Sequence, residues 1–227
     1  MSIFPKIWLS IANMSGQELQ FIKSAFDTNW VVPLGPNVDG FEKDLEEFLT
    51  SENKIVVLSS GTAALHLALI QLEIQPEDEI ICQSFTFSAT ANPVKYLGAN
   101  PVFVDSEADT WNMDPQLLEF AIYDRIKVTG KKPKVIIPVH LYGMPAKRAE
   151  IVAIANKFKI PILEDAAEAL GSTYKGKYCG TFGEFACLSF NGNKIITTSG
   201  GGALVCSTKD EANKTKGHAL QWFLAQK

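Results

Sequence analysis

Ile55-Val56-Val57-Leu58-Ser59-Ser60-Gly61-Thr62-Ala63-Ala64 is the stretch on which the fold is read. Four consecutive apolar, mostly β-branched residues give way to two serines and a glycine, and a helical pattern then runs over 62–72. Apolar residues in an unbroken run, rather than alternating with polar ones, mark a strand covered on both faces. The same unit recurs along the chain. Ile80-Ile81-Cys82 reads as a second strand with a helix over 89–97, and 101–104 as a third. Val135-Ile136-Ile137 is a fourth, followed by a strong helix over 146–158. Ile162-Leu163 is a fifth, and runs at 185–190 and 203–205 close the series. Strand–helix alternation of this kind predicts an α/β fold with a mostly parallel central sheet and helices on both faces. Ligands of such sheets bind at the carboxyl ends of the strands.

The flanks are organised differently. Residues 17–26 and 38–49 read as two amphipathic helices joined by the turn-rich Val32-Pro33-Leu34-Gly35-Pro36. The expected division is an N-terminal helical arm (1–50), a large domain (51–207), and the start of a helix leading onward (208–227), in which Trp222, Phe223 and Leu224 have no visible apolar partner. With 227 residues, 46% hydrophobic and 20% charged, the chain has the composition of an ordinary globular protein. A net charge of -4 and the lack of a basic stripe speak against nucleic acid as a partner. Residues 1–10 lack the apolar run and cleavage site of a signal peptide, and no run approaches a membrane span, so no membrane partner and a cytoplasmic location are expected. Cys82, Cys179, Cys187 and Cys206 show no C-x-x-C spacing, and three of them sit in apolar runs as small buried hydrophobes. No metal site is expected.

Four segments carry candidate chemistry. Ser59 to Ala64 joins a strand to a helix, where N–H groups and the helix dipole favour an anion; taken alone, an ordinary N-cap by Ser60 or Thr62 is the simpler reading. The segment is not G-x-G-x-x-G, which disfavours a nicotinamide dinucleotide. Glu164-Asp165-Ala166-Ala167-Glu168 ends the fifth strand. Its adjacent carboxylates point to opposite sides, one toward a site and one toward solvent or a helix end, and a buried one needs a partner such as a protonated pyridine nitrogen. A plain acidic helix start would look similar. Ser189-Phe190-Asn191-Gly192-Asn193-Lys194 ends in a lysine followed at once by Ile195-Ile196, either a partly desolvated nucleophile or a surface lysine. Thr197-Thr198-Ser199-Gly200-Gly201-Gly202 admits a close backbone approach to a ligand, or is simply a loop.

Taken in order, these and three further segments resemble the DegT/DnrJ-type sugar aminotransferases, fold-type-I enzymes dependent on pyridoxal phosphate (PLP). The further segments are Pro33-Leu34-Gly35-Pro36 with Phe41-Glu42, Ser84-Phe85-Thr86-Phe87-Ser88-Ala89-Thr90, and His140-Leu141-Tyr142-Gly143. The resemblance runs from about Ile11 to the end of the chain. It implies that Lys194 holds PLP covalently and later moves protons, and that Asp165 pairs with the pyridinium nitrogen. It implies that Thr62, Ala63 and Ser189 hold the phosphate, that Gly61 belongs to the same cofactor-binding set, that Phe87 stacks on the ring, and that Glu168 lies near the ring hydroxyl. Family members that dehydrate sugars have His in place of the lysine, so Lys194 favours transamination.

The branch most resembled, through Gly183-Glu184-Phe185, 189–194 and 197–202, acts on UDP-linked 4-keto-6-deoxy-N-acetylhexosamines for surface glycans, with glutamate as donor. Many other members carry Gly-Glu where this chain has Ser199-Gly200. Relatives continue into a small C-terminal domain and work as homodimers. The expectation is therefore the cofactor-binding large domain without that second domain. A truncated relative that binds PLP or a partner chain without turnover is the alternative, and a nicotinamide-dependent sugar-nucleotide enzyme is a third reading.

Overall fold

The structure, a computed structural model, describes residues 5–8, 11–12, 14–49 and 52–224, with side chains through residue 219. Two helices come first, α1 (Glu18–Asp27) and α2 (Pro36–Phe48). The alternating unit follows as β1 (Lys54–Leu58), α3 (Gly61–Gln71), β2 (Glu79–Gln83), α4 (Asn92–Tyr96), β3 (Asn100–Val104), α5 (Pro115–Thr129), β4 (Val135–Ile137), α6 (Arg148–Phe158) and β5 (Leu163–Asp165). A small hairpin, β6 (Thr173–Tyr174) and β7 (Lys177–Tyr178), precedes β8 (Phe185–Ser189), β9 (Gly202–Cys206) and α7 (Lys209–Leu224).

Hydrogen bonding gives the orders β1-β9-β8-β5 and β3-β2-β4. Parallel bridges Ile136–Ile162 and Val139–Asp165 join the two halves, so the strands run β3-β2-β4-β5-β8-β9-β1. Only β9 opposes the rest, pairing antiparallel with both β1 and β8. The mostly parallel sheet therefore holds, with one reversed strand that the apolar runs do not reveal. Because β9 is reversed, its first residue, Gly202, lies level with the last residues of its neighbours, Leu58 and Ser189. Carboxyl ends of β1, β2, β4, β5 and β8 thus gather on one edge with the start of β9.

Alternate residues of each strand feed opposite faces, as a pleat requires. Ile80, Cys82, Val135, Ile137, Leu163, Cys187 and Leu204 pack with Ala64, Leu65, Ala68 and Leu69 of α3. On the other face, Ile81 and Ile136 pack under Leu118 and Ile122 of α5 and Ile151 and Ala155 of α6. Ile55, Ala186, Leu188, Ala203 and Val205 meet Leu45 of α2 and Ala166, Ala169 and Phe190. Helix α3 carries apolar residues almost all round, which suits a helix wedged between the sheet, α4 and α7.

Differences from the sequence reading have local causes. Helix α2 begins two residues early because Pro36 suits a first helical turn. The helix expected over 89–97 is a 3-10 turn (Ser88–Thr90) followed by α4, since Pro93 starts a helix but cannot continue one. Helix α5 goes unmarked in that reading although its ends are signalled. Asp114 caps it by accepting from Gln116 and Leu117 N–H, Pro115 opens it, and Gly130 closes it at φ 72°. Helix α7 opens with a reciprocal cap: Glu211 N–H donates to Thr208 Oγ1 and Thr208 N–H to Glu211 Oε2. The side chains of Trp222, Phe223 and Leu224 lie outside the described residues. Among the described residues no helix is long and apolar enough to cross a membrane. All four cysteines are buried and free.

Candidate active site

A cavity of about 380 Å³ opens at the edge where the strand ends gather. Gly61, Thr62, Phe87, Asp165, Glu168, Ser189 and Lys194 all line it, together with Thr86, Leu141, Cys187, Asn191 and Gly201. The structure thus brings together residues separated by more than a hundred positions in sequence.

Strand β5 ends on the paired carboxylates, and its pleat sends them to opposite faces. Asp165 faces the cavity and is only 5% exposed. Its Oδ2 accepts from Thr90 Oγ1 at 2.6 Å and its Oδ1 from Ala167 N–H at 3.2 Å. Burial pushes its carboxyl above the usual range, and the Thr90 and Ala167 donors and the charge of Lys194 pull back. Glu164 does not reach solvent or a helix end. It is buried behind the sheet edge and accepts from His140 Nε2 at 3.0 Å, from Gly180 and Gly183 N–H at 2.9 and 2.7 Å, and from Phe182 N–H. His140 accepts at Nδ1 from Ala146 N–H, so its ring proton sits on Nε2, facing Glu164. One acid is therefore spent on holding loops, and the other is left facing the cavity with lone pairs to spare.

Lys194 is not a surface lysine. Its side chain is 10% exposed, and Nζ donates to Glu168 Oε1 at 2.9 Å. The second oxygen of Glu168 accepts from Tyr142 N–H at 2.9 Å, and Tyr142 holds φ 50°, an uncommon conformation for a residue with a side chain. Glu168 thereby ties the lysine loop to the turn after β4.

The third wall is the N-terminus of α3. Ser60 caps it, its hydroxyl accepting from Ala63 N–H at 3.1 Å. Ala63 does not line the cavity, and its amide is already satisfied; Gly61 and Thr62 of the first turn line the open space. The Ser60 cap and these cavity-lining residues thus belong to the same turn. In the glycine run before β9, Gly200 and Gly201 line the cavity, while Gly202 packs backbone against backbone. A Cβ at Gly202 would sit 2.3 Å from Gly61 N and from the Ser60 carbonyl carbon. Phe87 lies at the rim, 73% exposed.

Thr90 and Thr86 are the polar residues that sequence reasoning passes over as separate sites. Both lie in the segment 84–90, but nothing local says that Thr90 meets Asp165, 75 positions away. The donor set fits PLP. A buried acid with an unfilled acceptor suits a protonated ring nitrogen, helix-start amides beside a hydroxyl suit a phosphate, and a desolvated lysine suits an aldehyde.

Comparison with known proteins points the same way. The model of the DegT/DnrJ/EryC1/StrS aminotransferase family matches residues 13–223. EpsN of Bacillus subtilis (strain 168), assigned by name as a pyridoxal phosphate-dependent aminotransferase, is 54% identical over 95% of this chain and 54% of its own length. GDP-perosamine synthase of Caulobacter vibrioides is 39% identical over 95% of this chain and 56% of its own. Among solved structures, Spr1654 from Streptococcus pneumoniae, assigned as a sugar aminotransferase, superposes in its PMP-form with a TM-score of 0.84 at 32% identity. That match covers 92% of this chain and 56% of the other. The chain spans about half the length of the curated relatives it matches. With the family model matching nearly end to end, the chain belongs to the DegT/DnrJ/EryC1/StrS aminotransferase family.

Proposed function

We propose that this chain carries the cofactor side of the active site of a PLP-dependent aminotransferase, which moves an amino group onto the ketone carbon of a nucleotide-linked sugar. The observation that carries this reading is one cavity lined by Lys194, Asp165 and the N-terminus of α3. When bound, PLP supplies an aldehyde and an electron-withdrawing ring through which nitrogen passes from donor to acceptor. In this reading Lys194 Nζ bonds the aldehyde at rest. When not bonded to the cofactor, Lys194 Nζ would carry the proton to and from the reacting carbon. Asp165 keeps the ring nitrogen charged by matching its N–H. The Gly61 and Thr62 amides and the Ser189 hydroxyl hold the phosphate, with Ala63 setting the helix start behind them. Phe87, at the rim, would cover the ring face. Glu168 holds the lysine while it is free and accepts from the ring hydroxyl when it is not.

For the substrate we infer a UDP-linked 4-keto-6-deoxy-N-acetylhexosamine, with glutamate as donor, in surface-glycan synthesis in the cytoplasm; the likeness of 183–202 to that branch supports it. A GDP-linked 4-keto sugar is the second reading, favoured by the identity to GDP-perosamine synthase. A homodimer is part of the proposal. Helix α1 buries no residue, and Leu19, Ile22 and Phe26 recur on it at helical spacing, 77%, 53% and 69% exposed. Apolar stripes of this kind mark association surfaces.

The test is a two-step assay on the PLP-loaded protein. Glutamate is expected to bleach the yellow cofactor band, and the UDP-linked keto sugar to restore it. Restoration only by the GDP-linked sugar selects the second reading. A band that glutamate leaves unchanged indicates a chain that binds PLP without turnover and contradicts the transferase reading.

A further inference from the structure

We propose that Thr90, oriented by Thr86, is a positioning residue that keeps Asp165 ionised and aimed into the cavity. The inference rests on the functional reading above for its purpose, but not for its geometry. Thr90 is fully buried. Its N–H is satisfied by Phe87 O at 3.0 Å, which leaves only the hydroxyl to place. That hydroxyl has two partners, Asp165 Oδ2 at 2.6 Å and Thr86 Oγ1 at 2.7 Å. An ionised carboxylate only accepts, so the single proton of Thr90 goes to Asp165, and Thr86 must then donate to Thr90. The order is fixed: Thr86 on the cavity wall, then Thr90, then Asp165.

A donor to the charged form of an acid favours that form, and burial opposes it. The titratable groups facing Asp165 come from four places. Lys194 follows β8, His140 follows β4, Cys187 lies on β8 and Cys82 on β2. The two thiols are uncharged, since burial pushes Cys82 up to about 12 and Cys187 upward as well. His140 accepts at Nδ1 from Ala146 N–H, which places one ring proton on Nε2; burial opposes its charge, but its contacts with Cys179 and Glu164 lift it to about 9, and charge there favours ionised Asp165. Lys194 is shared with Glu168 and His140 is engaged with Glu164, so both act on Asp165 from a distance. Besides the Ala167 amide, Thr90 is the group whose loss most directly exposes Asp165 to the effect of its own burial. Ionised Asp165 is the buried acid that would match a cationic ring nitrogen in this cavity.

A carbon-13 titration of the Asp165 carboxyl in the cofactor-free full chain tests this, with the signal assigned by its loss in Asp165→Asn. Thr90→Val is expected to move the ionisation midpoint up by about one pH unit or more, and Thr90→Ser to restore it. Thr86→Val is expected to move it the same way by less. PLP affinity of Thr90→Val at neutral pH is expected to fall about tenfold, one pH unit's worth, and to recover as pH is raised, a recovery that a packing defect would not produce. An unmoved midpoint in folded Thr90→Val overturns the proposal; if that variant does not fold, an unmoved midpoint in Thr86→Val does so. Failure of the wild type to take up PLP would instead sink the functional reading while leaving the titration to stand.

Discussion

At the scale of single residues, the site works through carboxylates placed at different depths and given different partners. Burial raises the Asp165 carboxyl above its ordinary value, and the donors around it limit that rise. The consequence for stability has a definite sign. An acid whose folded pKa is raised keeps its proton while the unfolded chain has lost it. Stability therefore falls as pH rises from the ordinary value of 3.8 through the raised folded value, and the penalty is complete above that. Asp165→Asn should accordingly stabilise the cofactor-free protein more at pH 7 than at pH 4, a difference that denaturant melts at the two pH values would detect. The same variant should weaken PLP binding. Equal or lower stability of the variant at both pH values would contradict this account. The acid and lysine segments were legible in sequence as strand-end motifs, but the division of labour between Glu164 and Asp165 was not. It depends on amides from 180–183, which only the folded loops bring to Glu164.

Among the elements, the start of α3 is held by contact with the start of β9. Gly202 is required there by close approach rather than by its dihedral angles. Gly202→Ala is expected to cost about 2–4 kcal/mol in a denaturant melt, because either α3 or β9 must shift to admit the methyl group. Gly192→Ala, where an added Cβ meets nothing within 4 Å, should stay within about 0.5 kcal/mol and serves as the control. Equal effects at the two positions would show that the α3–β9 contact does not place the helix start. Strands were readable at this scale because two-sided burial leaves unbroken apolar runs. Helix α5 was not, although Asp114, Pro115 and Gly130 punctuate it, because its outward face carries Leu117, Phe120 and Tyr123 and blurs the periodicity. The β6–β7 hairpin is too short to leave a pattern.

For the whole molecule, the α/β class followed from alternation, whereas strand order and the reversal of β9 did not. Pairing partners lie far apart in sequence, and an apolar run reads the same in either direction. That reversal matters, since it sets Gly202 level with Ser189 and Leu58 and completes the cavity edge. The exposed apolar stripe of α1 belongs to this scale as well. The protein is expected to sediment as a dimer at micromolar concentration, and Ile22→Asp with Phe26→Asp to weaken dimerisation at least about tenfold. Sedimentation as a monomer by the parent protein would remove α1 as a dimer contact. Above all, the account holds that one buried amine bonds one aldehyde. Borohydride reduction of the PLP-loaded protein followed by peptide mass spectrometry tests that directly. The account predicts cofactor mass on the peptide bearing Lys194 and none after Lys194→Arg, whereas no adduct, or an adduct on a different lysine, would contradict it.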